Sequence, residues 1–184
     1  MVTRVPILDV QPRLEGGLPV KAAVGEEFHV RARVFGEGPM IVRAAVILTG
    51  PDDISLSPAP MQPLGDDRWG AAVIPDKMGW WSYAIESWHD PIETWLRDAR
   101  LKITDGIEVE LTLLEGALLL AQIEPALAAS DLADLNKATL PADERMELAT
   151  ALAQGHSIRQ HLGTTESFPV YVDRERALYG SWYE

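Results

Sequence analysis

Residues 68–95 read RWGAAVIPDKMGWWSYAIESWHDPIETW and hold five of the six tryptophans of the chain. The stretch begins by alternating, with Trp69, Ala71 and Val73 on one face and Arg68, Gly70 and Ala72 on the other. After the punctuation from Pro75 to Gly79 the alternation resumes, Trp81, Tyr83 and Ile85 against Trp80, Ser82 and Glu86. A period of two, rich in aromatic and β-branched residues on both sides of a Pro/Gly turn, predicts two antiparallel strands. At Asp90-Pro91-x-Glu93 the texture changes: a short acidic side chain accepts from orphan backbone N–H groups, and a proline ring presets helical φ. One segment therefore carries a sheet core and the exit into something helical.

Working outward towards the N-terminus, short apolar pieces at 5–10 and 20–24 flank a loop containing Pro12, Gly16, Gly17 and Pro19. Phe28, Val30, Ala32 and Val34 alternate with His29, Arg31 and Arg33, the pattern of a strand half buried and half wet. Ile41 to Leu48 predicts another strand. Residues 52–67, with Pro58, Pro60 and Pro63, read as a loop with at most a short edge strand near Ile54 to Leu56. Asp76-x-x-Gly79 followed by Tyr83 matches a tyrosine corner, in which the phenol ties its strand to the preceding turn. Six or seven short strands with turn signals between them predict an immunoglobulin-like β-sandwich.

On the C-terminal side, Ile92, Trp95, Leu96, Ala99 and Ile103 recur at helical spacing. Glu108 to Glu124 is apolar around more than half its circumference and predicts a buried central helix; Ser130-Asp131 cap a short helix to Ala138, and Pro141 opens another that ends at Gly155. No strand pattern is visible from 90 to 166. That segment carries 14 acidic and 6 basic residues, net −8 of a total −12. Phe168-Pro-Val-Tyr-Val-Asp173 then reads as a strand again, with Pro169 confining it to an edge or to its first residues. The expected architecture is a sandwich of residues 1–89 and 167–175, a helical bundle inserted at 90–166, and a linker at 176–184. The aromatic ending Tyr179-Gly-Ser-Trp182-Tyr183 has nothing to bury against, so a further domain is expected beyond Glu184.

Composition narrows the function. A formal charge of −12 without a visible cluster of Lys or Arg argues against a nucleic-acid surface. With no cysteine there is no thiolate nucleophile or thiolate metal site, and no stretch approaches a membrane span. With no secretory leader visible either, a cytoplasmic location is expected. Gly36-Glu-Gly38 lacks the rest of a phosphate loop, and His156 and His161 lie five apart without a completing ligand. Gly155-His-Ser157-Ile-Arg159 has Arg where a hydrolase elbow needs its second glycine. Neither catalytic residues nor a metal or cofactor site is expected. Trp69, Trp81, Tyr83 and Trp95 fall on core faces, whereas Trp80 and Trp88 are candidates for a surface that meets protein or sugar, since aromatic faces pack on the C–H face of pyranose rings.

Several of these residues also match a known family. Trp69-Gly-Ala, Pro75-Asp, Gly79-Trp-Trp, Tyr83-x-Ile-Glu-x-Trp88-x-Asp90 and Thr94-Trp95 resemble the N-terminal region of the bacterial alpha-1,4-glucan:maltose-1-phosphate maltosyltransferases. So do Arg4-Val-Pro-Ile, Asp9-Val-x-Pro12, Gly16-Gly17 and Lys21-Ala-x-x-Gly25-Glu26, and most specifically Tyr171-Val-Asp-Arg-Glu-Arg-Ala177-x-Tyr179-Gly-x-Trp-Tyr-Glu184. The resemblance implies membership of the alpha-amylase superfamily and transfer of maltosyl units from maltose 1-phosphate to an α-1,4-glucan with retention. It implies that the catalytic carboxylates sit on a barrel that follows this region. For this region it implies an immunoglobulin-like sandwich with an inserted helical bundle that supports a homodimer and buttresses the barrel. On that view Trp80, Trp88, Tyr179, Trp182 and Tyr183 are interface or glucan contacts. The other readings are an independent glucan-binding module and a stand-alone interaction domain.

Overall fold

The computed structural model describes residues 5–123 and 129–174, the side chains of 129–131 excepted. By its contacts the chain separates into two compact units, one comprising 1–37, 42–88 and 161–184 and the other 38–41 and 89–160.

The first unit is β-rich. Its strands are β1 (Ile7–Gln11), β2 (Val20–Ala23), β3 (Phe28–Val34), β4 (Val42–Thr49), β5 (Ala59–Pro60), β6 (Gln62–Gly65), β7 (Arg68–Val73), β8 (Gly79–His89), β9 (Gln160–Thr164) and β10 (Phe168–Asp173). One sheet has the order β1-β3-β7-β6; the other has the order β2-β10-β8-β4-β5, with β9 also on β8. Their inward faces share one core, with Phe28, Val30, Ala32 and Val34 from the first sheet and Val46, Leu48, Trp81, Tyr83, Ile85, Val170 and Val172 from the second. This is a sandwich-like arrangement, and the alternation of β3 is the reason for it, because every second residue from Phe28 to Val34 is buried.

Four expectations need correction. Tyr83 is not a local corner: its hydroxyl donates to the carbonyl of Pro12 at 2.7 Å, 71 residues away in sequence, because the ring points into the core beside Phe28 and Phe168. The segment 52–67 contains β5 and β6, each an edge strand where proline is tolerated, while Ser55 makes only a bridge to Thr49. A strand, β9, occurs where none was visible, since its sequence Gln-His-Leu-Gly-Thr has no apolar alternation. Finally, the two strands on either side of 75–79 are not a pair, since β7 lies in one sheet and β8 in the other. Of the two placements expected for Pro169, an edge or the first residues of its strand, the second holds: β10 is interior, parallel to β2 and antiparallel to β8. Pro169 fits there because pairing with β2 begins only at Val170, leaving the proline at the end of the ladder.

The second unit contains α1 (Pro91–Thr104), α2 (Val109–Leu120), α3 (Ala129–Leu135) and α4 (Ala142–Ala153). Asp90 caps α1 as the sequence predicts, its Oδ1 accepting from the N–H groups of Ile92 and Glu93. Its other oxygen accepts from Ser157 Oγ at 2.7 Å, which accounts for a carboxylate only 1% exposed. Ile92, Trp95, Leu96, Ala99, Ala117, Leu120, Leu135, Met146, Ala149 and Ala153 make the core. The indole of Trp95 lies on the backbone of α2: its Nε1 donates to Thr112 O at 2.8 Å, and a Cβ on Gly116 would fall inside the ring.

The α3 boundaries differ from expectation, because Ser130 lies inside the helix and the helix ends at Leu135. The expectation of a buried central helix holds for only one face of α2. Thr112, Leu113, Gly116, Ala117 and Leu120 are buried, but Leu111, Leu114 and Leu118 are 50%, 45% and 61% exposed. Neighbouring helices cover only one face of it.

Candidate functional site

The wet face of β8 starts at Trp80, which alternation points away from the core that takes Trp81 and Tyr83. Trp80 is 60% exposed. Across the sheet the register sets Tyr171 of β10 opposite Trp80, and Lys21 of β2 beside Tyr171. The rings of Trp80 and Tyr171 meet edge to face, with centroids 5.2 Å apart and planes at 65°. An angled pair of aromatic faces, with Lys21 on the neighbouring strand, is an outward apolar step on this sheet. It can stack on a sugar ring or take an apolar side chain. Tyr171 was missing from the sequence-derived site: alternation with Val170 and Val172 marks it as outward, but nothing in the chain order brings it to Trp80.

Trp88 does not join this surface. It is 6% exposed, as its neighbours Ser87 and His89 are wholly buried, because the two-faced alternation of β8 ends near Ser87, where both sides of the strand are covered. Ser87 Oγ donates to Val5 O at 2.7 Å, and a Cβ on Gly163 would meet Val5 O at 2.8 Å and Ser87 Oγ at 2.9 Å. Tyr179, Trp182 and Tyr183 lie outside the described residues. His156 and His161 fall on different elements, the first beyond α4 and the second within β9. Among the described residues no group of three or more His, Asp or Glu gathers in a way that could hold a metal ion. No helix among them is long and apolar enough to cross a membrane.

Two electrostatic features stand out. Tyr83 is pushed up to about 12 by burial, opposed by the charge of Arg13, so its phenol is a permanent donor to Pro12 and not an acid. Arg145, buried on α4, donates Nη2 to Glu110 Oε1 at 2.6 Å and Nη1 to Oε2 at 2.9 Å. This two-pronged bond holds the Glu110 carboxyl below its ordinary range and raises Arg145 above its own.

Comparison with known proteins agrees with the resemblance read from the sequence. The family model described as "Alpha-1,4-glucan:maltose-1-phosphate maltosyltransferase, domain N/S" matches residues 3–174. The chain belongs to this maltosyltransferase family. Two alpha-1,4-glucan:maltose-1-phosphate maltosyltransferases of Streptomyces coelicolor are 39% and 40% identical to it, each alignment covering 100% of this chain and 30% of the relative. The maltosyltransferase of Arcanobacterium haemolyticum is 33% identical over 100% of this chain and 29% of its own length. The chain thus spans about 30% of the length of these curated maltosyltransferases.

Proposed function

We propose that this chain is a non-catalytic N-terminal module of a maltosyltransferase that elongates α-1,4-glucan from maltose 1-phosphate. In this reading the β unit is an immunoglobulin-like sandwich and the segment from α1 to α4 is a helical bundle inserted in it. The module supports homodimerisation and the packing of a catalytic barrel, in a cytoplasmic enzyme. The observation that carries the reading is the coverage: the relatives align over this entire chain, yet it amounts to less than a third of their length. The exposed row Leu111, Leu114 and Leu118 supports a protein-facing role, because monomeric proteins seldom leave such rows uncovered. The purified chain, given maltose 1-phosphate and a glucan acceptor, should release no phosphate; acceptor-dependent release would overturn the module reading.

A second reading, an α-glucan contact on the sandwich, is favoured by the Trp80–Tyr171 pair alone. Maltooligosaccharides should then change tryptophan fluorescence in the native chain and leave the Trp80→Ala variant unchanged. An identical response in both would remove this reading.

A further inference from the structure

A trough of about 730 Å³ runs between α1 and α4 of the helical unit. Its lining is apolar at the bottom, where buried Leu96 of α1 meets buried Met146 of α4. Short side chains on α4 leave the space. Ala149 and Ala153 are buried, Ala151 adds only a methyl, and Thr150 turns its hydroxyl back to Met146 O at 2.8 Å.

Two opposite charges line this trough from facing helices, Arg100 on α1 and Glu147 on α4. Ser157, just past α4, donates to Asp90 at the start of α1, so both helices can be measured from one junction. Arg100 lies ten residues beyond Asp90 and Glu147 ten residues before Ser157. At a rise of about 1.5 Å per residue they stand at similar heights. Even so, neither has an ion-pair partner among the described residues. Elsewhere in the unit Arg97 is met by Asp98, Lys102 by Glu108, Lys137 by Asp134 and Arg145 by Glu110. Their own helices offer nothing opposite. Three and four residues from Arg100 stand Leu96, Arg97, Ile103 and Thr104; from Glu147 they are Asp143, Glu144, Thr150 and Ala151. Each charge has a like charge in helical reach and no opposite one, which is mildly destabilising until a counter-charge arrives.

We propose that this trough binds a free α-amino acid with an apolar side chain, its carboxylate on Arg100, its ammonium on Glu147 and its side chain on Leu96 and Met146. A zwitterion answers one guanidinium and one carboxylate together. The guanidinium fork matches a carboxylate, and an ammonium brings three donors to an acceptor-only group. A simple anion would meet Arg100 but also face Glu147 and Glu93, which lines the trough as well; a simple cation would face Arg100. An apolar lining with a few convergent polar groups, set between helices, is the usual make-up of a small-molecule site. The inference uses only residues of the helical unit and stands apart from the maltosyltransferase reading.

The test is calorimetric titration of the whole chain with L-leucine, L-leucinamide, N-acetyl-L-leucine and glycine as separate arms. Leucine should bind. Leucinamide lacks the carboxylate and N-acetylleucine the ammonium, so each should bind at least about tenfold more weakly, and glycine should be weaker for want of a side chain. Arg100→Gln and Glu147→Gln should each weaken leucine by about tenfold or more. Both residues are exposed, so the variants should melt with the native chain. In the Arg100→Gln chain leucine should lose its advantage over leucinamide, because the group that reads the carboxylate is gone. No binding of leucine, equal affinity for leucine and both blocked analogues, or native affinity in both variants would each overturn the proposal. None of these readouts depends on turnover of maltose 1-phosphate, so failure of the maltosyltransferase reading is distinguished from failure here.

Discussion

In β3 every second residue from Phe28 to Val34 is buried without exception, whereas in α2 Leu113 and Leu120 are buried and Leu111, Leu114 and Leu118 are exposed. The two regions use different means to reach a packed interior. The β unit fills its core with bulk, Trp81, Tyr83 and Phe168 among β-branched residues, and anchors Tyr83 on the distant carbonyl of Pro12 and Trp81 on that of Lys77, four residues away. The helical unit brings backbones close with small residues, Ala99, Gly116, Ala117 and Ala149, and lays one indole across the contact. Removing atoms should therefore damage the first most, and adding them should damage the second.

The largest loss is expected from Tyr83→Ala. The side chain is fully buried between Phe28 and Phe168, so its removal should cost roughly 3–5 kcal/mol through lost transfer energy and the cavity left behind. Urea unfolding of native and variant chains measures it. A loss under about 1 kcal/mol would mean that the sheet core collapses as readily as a helix surface.

Next comes Gly116→Ala. In an exposed helix this exchange stabilises by about 1 kcal/mol, because alanine is the better helix former. Here the added methyl overlaps the Trp95 ring, so the sign should reverse to a loss of roughly 1–3 kcal/mol. Trp95→Phe in the same background should recover part of it. A stabilised Gly116→Ala chain would show that α1 and α2 part easily and that the close-approach account of the helical unit is wrong.

A smaller effect, legible as a slope, is expected at Glu110. Its carboxyl is held low in the folded chain by Arg145, so its contribution is fully present above the ordinary value of 4.5. It is lost as pH falls through the lower folded value. The stability difference between the native chain and Glu110→Gln should be greatest near neutrality and shrink on acidification, because the glutamine leaves buried Arg145 without its counter-charge at every pH. A difference that stays constant from pH 7 to pH 3 would detach the pair from stability.

The smallest effect belongs to Leu118→Gln, within about ±0.5 kcal/mol in the isolated chain. Two residues on, Leu120→Ala should cost about 2–5 kcal/mol. If both leucines behave as core, the exposed row is not a free surface and its protein-facing role disappears.

Much of this fold was written in the chain order. The inward set Trp81, Tyr83 and Ile85, the cap at Asp90 and the helical repeat from Ile92 to Ala99 all depend on neighbours within a few residues, where backbone geometry dictates the period. Chain order also carried the strand Phe168–Asp173 and the outward direction of Trp80. It did not carry which groups meet. Tyr171 reaches Trp80, and Arg68 reaches Arg33, only through strand register; Tyr83 finds Pro12 across 71 positions. Trp88 has the parity of a surface residue and is buried, and α2 has leucine on nearly every side yet buries one face. Periodicity is a local property of the backbone. Which face is covered, and which charges are brought together, is set by partners far away in sequence, so only the tertiary structure decided them.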